Sequence, residues 1–153
     1  MKKQAETGFL SFLLVFSLVM LVGCTAAKPT QTKLVTEVVD GDTLVVEGGL
    51  RVRLLGINAP EKGEAGYQEA KTLLVLLVLK KEVVLESDSE DKDQFHRLLR
   101  HVWIGDELIS VILAAQGVAR AKFFTNNEKH RLEIQEAEHQ AIQERKGLWK
   151  DIP

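Results

Sequence analysis

Leu34-Val35-Thr36-Glu37-Val38-Val39-Asp40-Gly41-Asp42-Thr43-Leu44-Val45-Val46-Glu47-Gly48-Gly49-Leu50-Arg51-Val52-Arg53-Leu54-Leu55-Gly56-Ile57 decides the fold of this chain. β-Branched and apolar residues fill Leu34–Val39, Thr43–Val46 and Leu50–Ile57, and the breaks between them hold Asp40-Gly41 and Gly48-Gly49. Such runs, bounded by glycine-containing turns, predict consecutive short strands. Alternation in the third run places Leu50, Val52 and Leu54 on one face and Arg51 and Arg53 on the other, so Arg53 can point into a groove while its neighbours fill a core.

Downstream, Glu64–Leu79 carries Ala70, Leu73, Leu74 and Leu77 at helical spacing and becomes almost wholly apolar from Leu73 to Leu79. A helix of that kind is expected to be deeply buried. Val83–Glu86 and Leu98–Ile104 predict two more strands, with the polar run Ser87–Gln94 between them read as a solvated loop. That run lacks the sixth-position glycine and twelfth-position glutamate of a calcium-binding EF-hand loop. Leu108–Gln116 predicts a short helix stopped by Gly117, and Asn127–Lys146 a long amphipathic one, capped by Asn126 or Asn127 and ended by Gly147. The class is α+β, and the order of elements suits a small five-stranded barrel with appended helices.

Residues 1–23 read as an export leader, with Lys2 and Lys3 ahead of the apolar run Phe9–Val22. The run is shorter than the roughly 20 residues a spanning helix needs. It ends in Leu21-Val22-Gly23-Cys24, which resembles a bacterial lipobox. That resemblance implies lipidation of Cys24, a tether over residues 24–32, and attachment to the outer side of a cell membrane or to an outer membrane. Cys24 is the only cysteine and so has no internal disulfide partner. Residues 33–153 fit one domain, with no feature that calls for an oligomer. Cleavage of the leader would remove Lys2, Lys3 and Glu6, taking the basic count from 20 to 18, the acidic count from 22 to 21, and the formal charge to −3. A mildly acidic chain binds a polyanion only through a local positive field, for which Arg51, Arg53, Lys62, Arg97 and Arg100 are the candidates.

Asp-Gly-Asp between strands is by itself an ordinary tight turn, and Pro60-Glu61 an ordinary loop start. In combination, Asp40, Asp42, Arg53, Asn58 and Glu61 bring carboxylates, a guanidinium and an amide into a short span, the raw material for metal-assisted phosphodiester cleavage. The histidines His96, His101, His130 and His139 have no metal-ligand spacing and read as solvated. Trp103 reads as core. Phe123 and Phe124 suit either a core or a base-stacking surface.

These segments resemble the staphylococcal nuclease family over roughly Lys33 to Trp149. Besides Val39–Thr43 and Val52–Glu61, Asp93-Gln94-Phe95-His96-Arg97-Leu98-Leu99 is similar to the family's Asp-x-Tyr-Gly-Arg-x-Leu segment. Ala115–Arg120 and Gly147-Leu148-Trp149 are similar to its Gly-Leu-Ala and Gly-Leu-Trp signatures. The resemblance implies a five-stranded OB-fold β-barrel with three α-helices and a Ca2+-dependent nuclease acting on single-stranded or denatured DNA and RNA. It also implies that Asp42, Asn58 and the backbone carbonyl of Ala59 are metal ligands, with Asp40 supporting them through water. Arg53, Glu61 and Arg97 are then the catalytic residues, Glu61 orienting or deprotonating the attacking water and the two arginines holding the phosphate.

Two departures stand out. Asn58 occupies a position where the family has Asp, which removes one negative charge from the ligand set. His96 stands where the family has Gly, a residue far freer to adopt unusual backbone angles. A second reading therefore follows, a catalytically reduced module that holds single-stranded nucleic acid or an envelope partner. A third, a structural envelope lipoprotein using its C-terminal helix, is disfavoured by the mixed charge of Glu128, Lys129, Glu133, Glu136 and Glu144.

Overall fold

The structure is a computed structural model that describes residues 30–124 and 126–151. The leader and Cys24 lie outside the described residues. Five strands close on themselves: β1 (Thr30–Val38), β2 (Thr43–Val46), β3 (Leu50–Leu54), β5 (Glu82–Lys92) and β6 (Leu98–Ile104), in the spatial order β3-β2-β1-β5-β6. Neighbours along this order are antiparallel, and a parallel β3–β6 pairing, Val52 to Leu98 through Leu54 to Arg100, shuts the barrel. β7 (Glu107–Leu108) extends β6 as a hairpin, and β4 (Ile57–Asn58) pairs with β8 (Arg120–Ala121) beside the barrel. Three helices, α1 (Tyr67–Val78), α2 (Ile109–Ala115) and α3 (Arg131–Gln143), complete the expected α+β barrel.

In β2 and β3, Leu44, Val46, Val52 and Leu54 are buried inside the barrel as alternation predicts, whereas Leu50, at the start of β3 beside the Gly48-Gly49 turn, is 43% exposed. The buried side chains join Val35, Leu85 and Val102 from the other strands, Leu74 and Val78 from α1, Ile109 and Leu113 from α2, and Ile134 from α3. Each such aliphatic side chain removed from water contributes about 1.5–3 kcal/mol before entropy is subtracted, so the helices are bound to the barrel by one shared core.

Several boundaries differ from expectation, each for a physical reason. β1 begins at Thr30, because Thr30, Gln31 and Thr32 pair with Glu86, Leu85 and Val84; a stretch expected in the tether is therefore strand. α1 is not buried all round. Ala70, Leu74 and Val78, spaced by four, form its buried stripe, whereas Leu76 is 68% exposed. The polar run after Glu86 continues β5 as far as Lys92, with an irregularity between Ser87 and Lys92. It needs no solvated loop, because Asn127 Oδ1 accepts the Glu90 N–H at 2.8 Å and Asp88 binds His101 at 3.1 Å. Asn127 is spent on that strand and does not cap α3, whose cap position is His130.

Candidate active site

The turn between β1 and β2 is built by its own side chains. Asp40 Oδ1 accepts the Asp42 N–H at 3.0 Å, and the Val39 and Asp40 N–H groups both donate to the Thr43 carbonyl. Gly41 is required by proximity: a β-carbon there would run into the side chains of Ala59 and Ala70. The turn is thus pressed against both the end of β4 and α1. This contact buries Asp42, whose Oδ2 accepts the Ala59 N–H at 2.8 Å.

Arg53, opposite Thr43 in the β2–β3 ladder, is only 8% exposed. Its guanidinium donates to the Leu54 carbonyl at 2.5 Å and to Asn58 Oδ1 at 3.0 Å, and pairs with Asp42 Oδ2 at 3.0 Å. Burial raises the Asp42 pKa and Arg53 opposes that shift. Burial likewise lowers the Arg53 pKa, with Asp42 opposing it. Two groups that are each costly to bury alone are tolerable as a pair.

Arg97 arrives from the other side, on the turn between β5 and β6. Asp93 organises this turn: Oδ1 accepts the N–H groups of Phe95 and Arg97, and Oδ2 pairs with Arg97 Nε at 2.7 Å. Burial tends to raise the Asp93 pKa, but the hydrogen bonds from Arg97 and Phe95 outweigh it and the net shift is downward. His96 takes the left-handed conformation, φ 62°, that glycine would adopt freely. The turn thus closes without a glycine, and Arg97 NH1 donates to Thr43 Oγ1 at 3.3 Å. Thr43 Oγ1 in turn donates to Asp42 Oδ1 at 3.1 Å. One chain of polar contacts now runs Asn58, Arg53, Asp42, Thr43, Arg97, Asp93.

Glu61 is exposed on the following turn, with its N–H held by Glu64 Oε2 at 2.8 Å. It lines the same cleft of about 590 Å³ as Asp40, Asp42, Arg53, Asn58 and Arg97. Ala59 is buried and borders an adjoining groove of about 500 Å³ with Pro60, Glu64 and Arg120, Asn58 lining both spaces. The local positive field differs from the expected one. Arg51 and Lys62 are exposed outside the cleft, and Arg100 is paired with Asp91 at 2.6 Å. Lys92 and Lys122 line the cleft instead. Sequence reasoning missed these two, along with the bridging role of Thr43 and the turn-forming role of Asp93. A signal existed only for the last two, which stand inside the quoted motifs.

Aromatic rings edge this cleft. Phe95 and Phe124 are 68% and 66% exposed, with Arg97 and Lys122 over their respective rings. Phe123 packs against the core beneath Arg131. Trp103 is half-buried on the barrel, donating to Glu86 at 2.9 Å. The expectation of solvated histidines fails for two of the four. His101 is fully buried, and the side chain of His130 is 12% exposed.

Among the described residues no cluster of three or more His, Cys, Asp or Glu side chains is arranged for a metal ion. The Asp40 and Asp42 carboxylates and the Asn58 amide nonetheless bring oxygen donors into one cleft, whereas Ala59, whose carbonyl is the other expected ligand, gives Asp42 its N–H and lines the adjoining groove. Oxygen donors suit a hard cation such as calcium and not a transition metal. The buried Asp42 carboxylate, whose charge burial disfavours, is a group that a cation would stabilise.

The sequence profile of the staphylococcal nuclease homologue family matches residues 51–151. A thermonuclease of Staphylococcus intermedius is 36% identical over 133 residues, covering 78% of this chain and 77% of the relative. A thermonuclease of Staphylococcus hyicus is 33% identical over 130 residues, 79% and 77% of the two chains. An uncharacterized endonuclease of Haemophilus influenzae is 35% identical over 146 residues, 92% and 76% of the two chains.

Proposed function

The chain belongs to the staphylococcal nuclease family, and from that premise we propose a calcium-dependent nuclease that hydrolyses single-stranded or denatured DNA and RNA in the cleft between the Asp40–Thr43 turn and Arg97. That it is a hydrolase of phosphodiester bonds follows from its family and from its thermonuclease relatives. The observation that carries the finer reading is the continuous contact from Arg53 through Asp42 and Thr43 to Arg97.

In this reading Arg53 and Arg97 hold the phosphate. Two planar, multi-donor guanidiniums match the equatorial oxygens on which charge builds as the phosphorus becomes five-coordinate. Glu61, exposed at the cleft edge, orients a water and takes its proton while the water oxygen bonds to phosphorus. The ester P–O bond breaks, and the departing sugar oxygen is protonated from solvent. Asp42, Asn58 and the Ala59 carbonyl are the residues to hold calcium, with Asp40 behind them. When bound, calcium supplies positive charge against a phosphate oxygen. Phe95 and Phe124 offer faces on which unpaired bases stack, a contact worth about 1–3 kcal/mol per base and denied to a duplex. Attachment to a membrane through lipidated Cys24, with the enzyme on the extracytoplasmic side, rests on the Leu21–Cys24 motif.

Asn58 keeps the second reading open to test, because its only side-chain carbonyl oxygen already accepts from Arg53. The deciding experiment digests heat-denatured DNA in millimolar calcium, with matched EGTA and Glu61→Gln samples. Loss of at least about a hundredfold in kcat for Glu61→Gln is expected if its carboxylate is the base. Unchanged turnover in that variant overturns the assignment. Binding without cleavage by the parent would favour the reduced module.

A further inference from the structure

β5, β6 and the lead-in to α3 gather a cluster of titratable side chains for which the proposed cleavage chemistry has no use. His101 on β6 is wholly buried and its Nε2 lies 3.1 Å from Asp88 Oδ2 on β5. His130, at the cap of α3, has Nε2 2.9 Å from Glu86 Oε2 and Nδ1 3.6 Å from Glu133 Oε1. The two imidazoles meet edge to face, with ring centroids 4.6 Å apart. Lys129 pairs with Glu86, and its N–H donates to Asp88 Oδ2 at 3.0 Å. Asn127 Oδ1 accepts the Glu90 N–H at 2.8 Å. The lead-in is thus fastened to the barrel at Asn127, Lys129 and His130. Just before them in the chain, Lys122, Phe123 and Phe124 line the cleft, as do Asn127 and Glu90.

We propose that the His101–His130 cluster positions the cleft wall formed by Lys122, Phe123, Phe124 and Asn127, and that placing a charge on the buried His101 ring against the docked segment loosens this wall, so that acid weakens the grip on a single strand. The proposal rests on the reading of the cleft as the nucleic-acid site.

The two rings belong to different elements, one to the barrel and one to the segment docked on it, so a charge on His101 acts directly on docking. Burial lowers the His101 pKa, opposed by Asp88 and Glu86 and assisted by His130. A histidine held below its usual range favours docking fully above about pH 6.5 and withdraws that support as pH falls through its docked value. With His101 charged, a buried imidazolium would press on the His130 ring beside the Lys129 ammonium, with Glu86 and Asp88 as the facing carboxylates, while Glu133 is 61% exposed and screened by water. None of Glu86, Asp88, His101, Lys129 and His130 lines the cleft that holds Asp42 and Glu61, so the cluster's effect belongs to substrate binding and not to proton transfer at Glu61.

The test is steady-state cleavage of a labelled single-stranded DNA oligonucleotide by the full chain, in calcium, from about pH 7.5 to about pH 5.5. The parent is compared with His101→Gln, which keeps a donor for Asp88 but cannot charge, and with His130→Gln. The KM of the parent is expected to rise about fivefold to tenfold over this range, beyond any change in kcat. That rise should be flattened in both variants. A parent KM that does not rise, or the same rise in parent and variants, overturns the proposal, and His130→Gln decides alone if His101→Gln does not fold. Absence of cleavage by the folded parent at about pH 7.5 would instead refute the nuclease reading. Fluorescence anisotropy of the same oligonucleotide across the pH series would then decide the positioning claim by the same criterion.

Discussion

The Asp40–Ala59 region and the β5–α3 region both hold buried charge, but they assemble it over different distances in the chain. In the first, Asp42, Arg53, Asn58 and Ala59 lie within 17 residues of one another, and their contacts follow from one turn and one hairpin register. In the second, Glu86 and His130 are 44 residues apart, Asp88 and Lys129 are 41 apart, and only the closed barrel with α3 docked brings them together. Local assembly leaves a motif in the sequence. Distant assembly leaves isolated charged residues that look like surface.

The comparison breaks most visibly at Arg53. Its replacement by Met would leave the Asp42 carboxylate buried without its cation, and urea unfolding without calcium should show a loss of about 3–5 kcal/mol. A loss below about 1 kcal/mol would place the pair among surface ion pairs and remove the contrast with exposed charge. Asn58→Asp acts on the same region in the opposite direction, restoring the family's carboxylate. The calcium needed for half-maximal cleavage should fall about tenfold, since ligand charge is one determinant of calcium affinity. An unchanged requirement would mean that Asn58 is not a ligand.

Acid titration tests the other region. Burial tends to raise the Glu86 pKa, but hydrogen bonds from Lys129, His130 and Trp103 outweigh it and bring the value from 4.5 to about 2. A carboxylate so depressed contributes stability that is fully present above pH 4.5 and is lost as pH falls toward 2. Chemical unfolding of Glu86→Gln across this range should show a weaker acid dependence than the parent, and parallel curves would remove Glu86 from the account. The smallest effect is expected at His96. Glycine relieves the left-handed backbone but gains freedom when unfolded, so His96→Gly should stabilise the chain by no more than about 1 kcal/mol. Loss of cleavage in that variant with the fold intact would show that the imidazole does more than fill a turn.

Much of the barrel was legible because each strand announces itself by short-range means. Alternation marks β2 and β3, and Gly48-Gly49 marks the turn between them. Leu98–Ile104 has the same bounds in sequence and structure. The candidate site was legible in part. Asp40, Asp42, Arg53, Asn58, Glu61 and Arg97 do share a cleft, whereas Lys92 and Lys122 are surface lysines until the barrel closes and β8 folds beside β4. The polar end of β5 was misread because its satisfaction comes from β6 and from residues 127–130, neither of which a local pattern contains. α1 misled for a related reason: hydrophobicity says that a helix wants burial, but the number of faces covered depends on its neighbours.

By itself the sequence determined the order of the elements, the inward face of the central strands, the turn that gathers Asp40 and Asp42, and the resemblance that pointed to phosphodiester chemistry. These depend on dihedral preference and on periodicities of a few residues, which any short window carries. Only the tertiary structure decided that Arg53 is a buried partner of Asp42, that Thr43 joins the two arginines, and that His101 and His130 face each other across a docked segment. Burial and pairing are properties of surfaces brought together from distant parts of the chain, and their electrostatic consequences exist only once water has been excluded from between them.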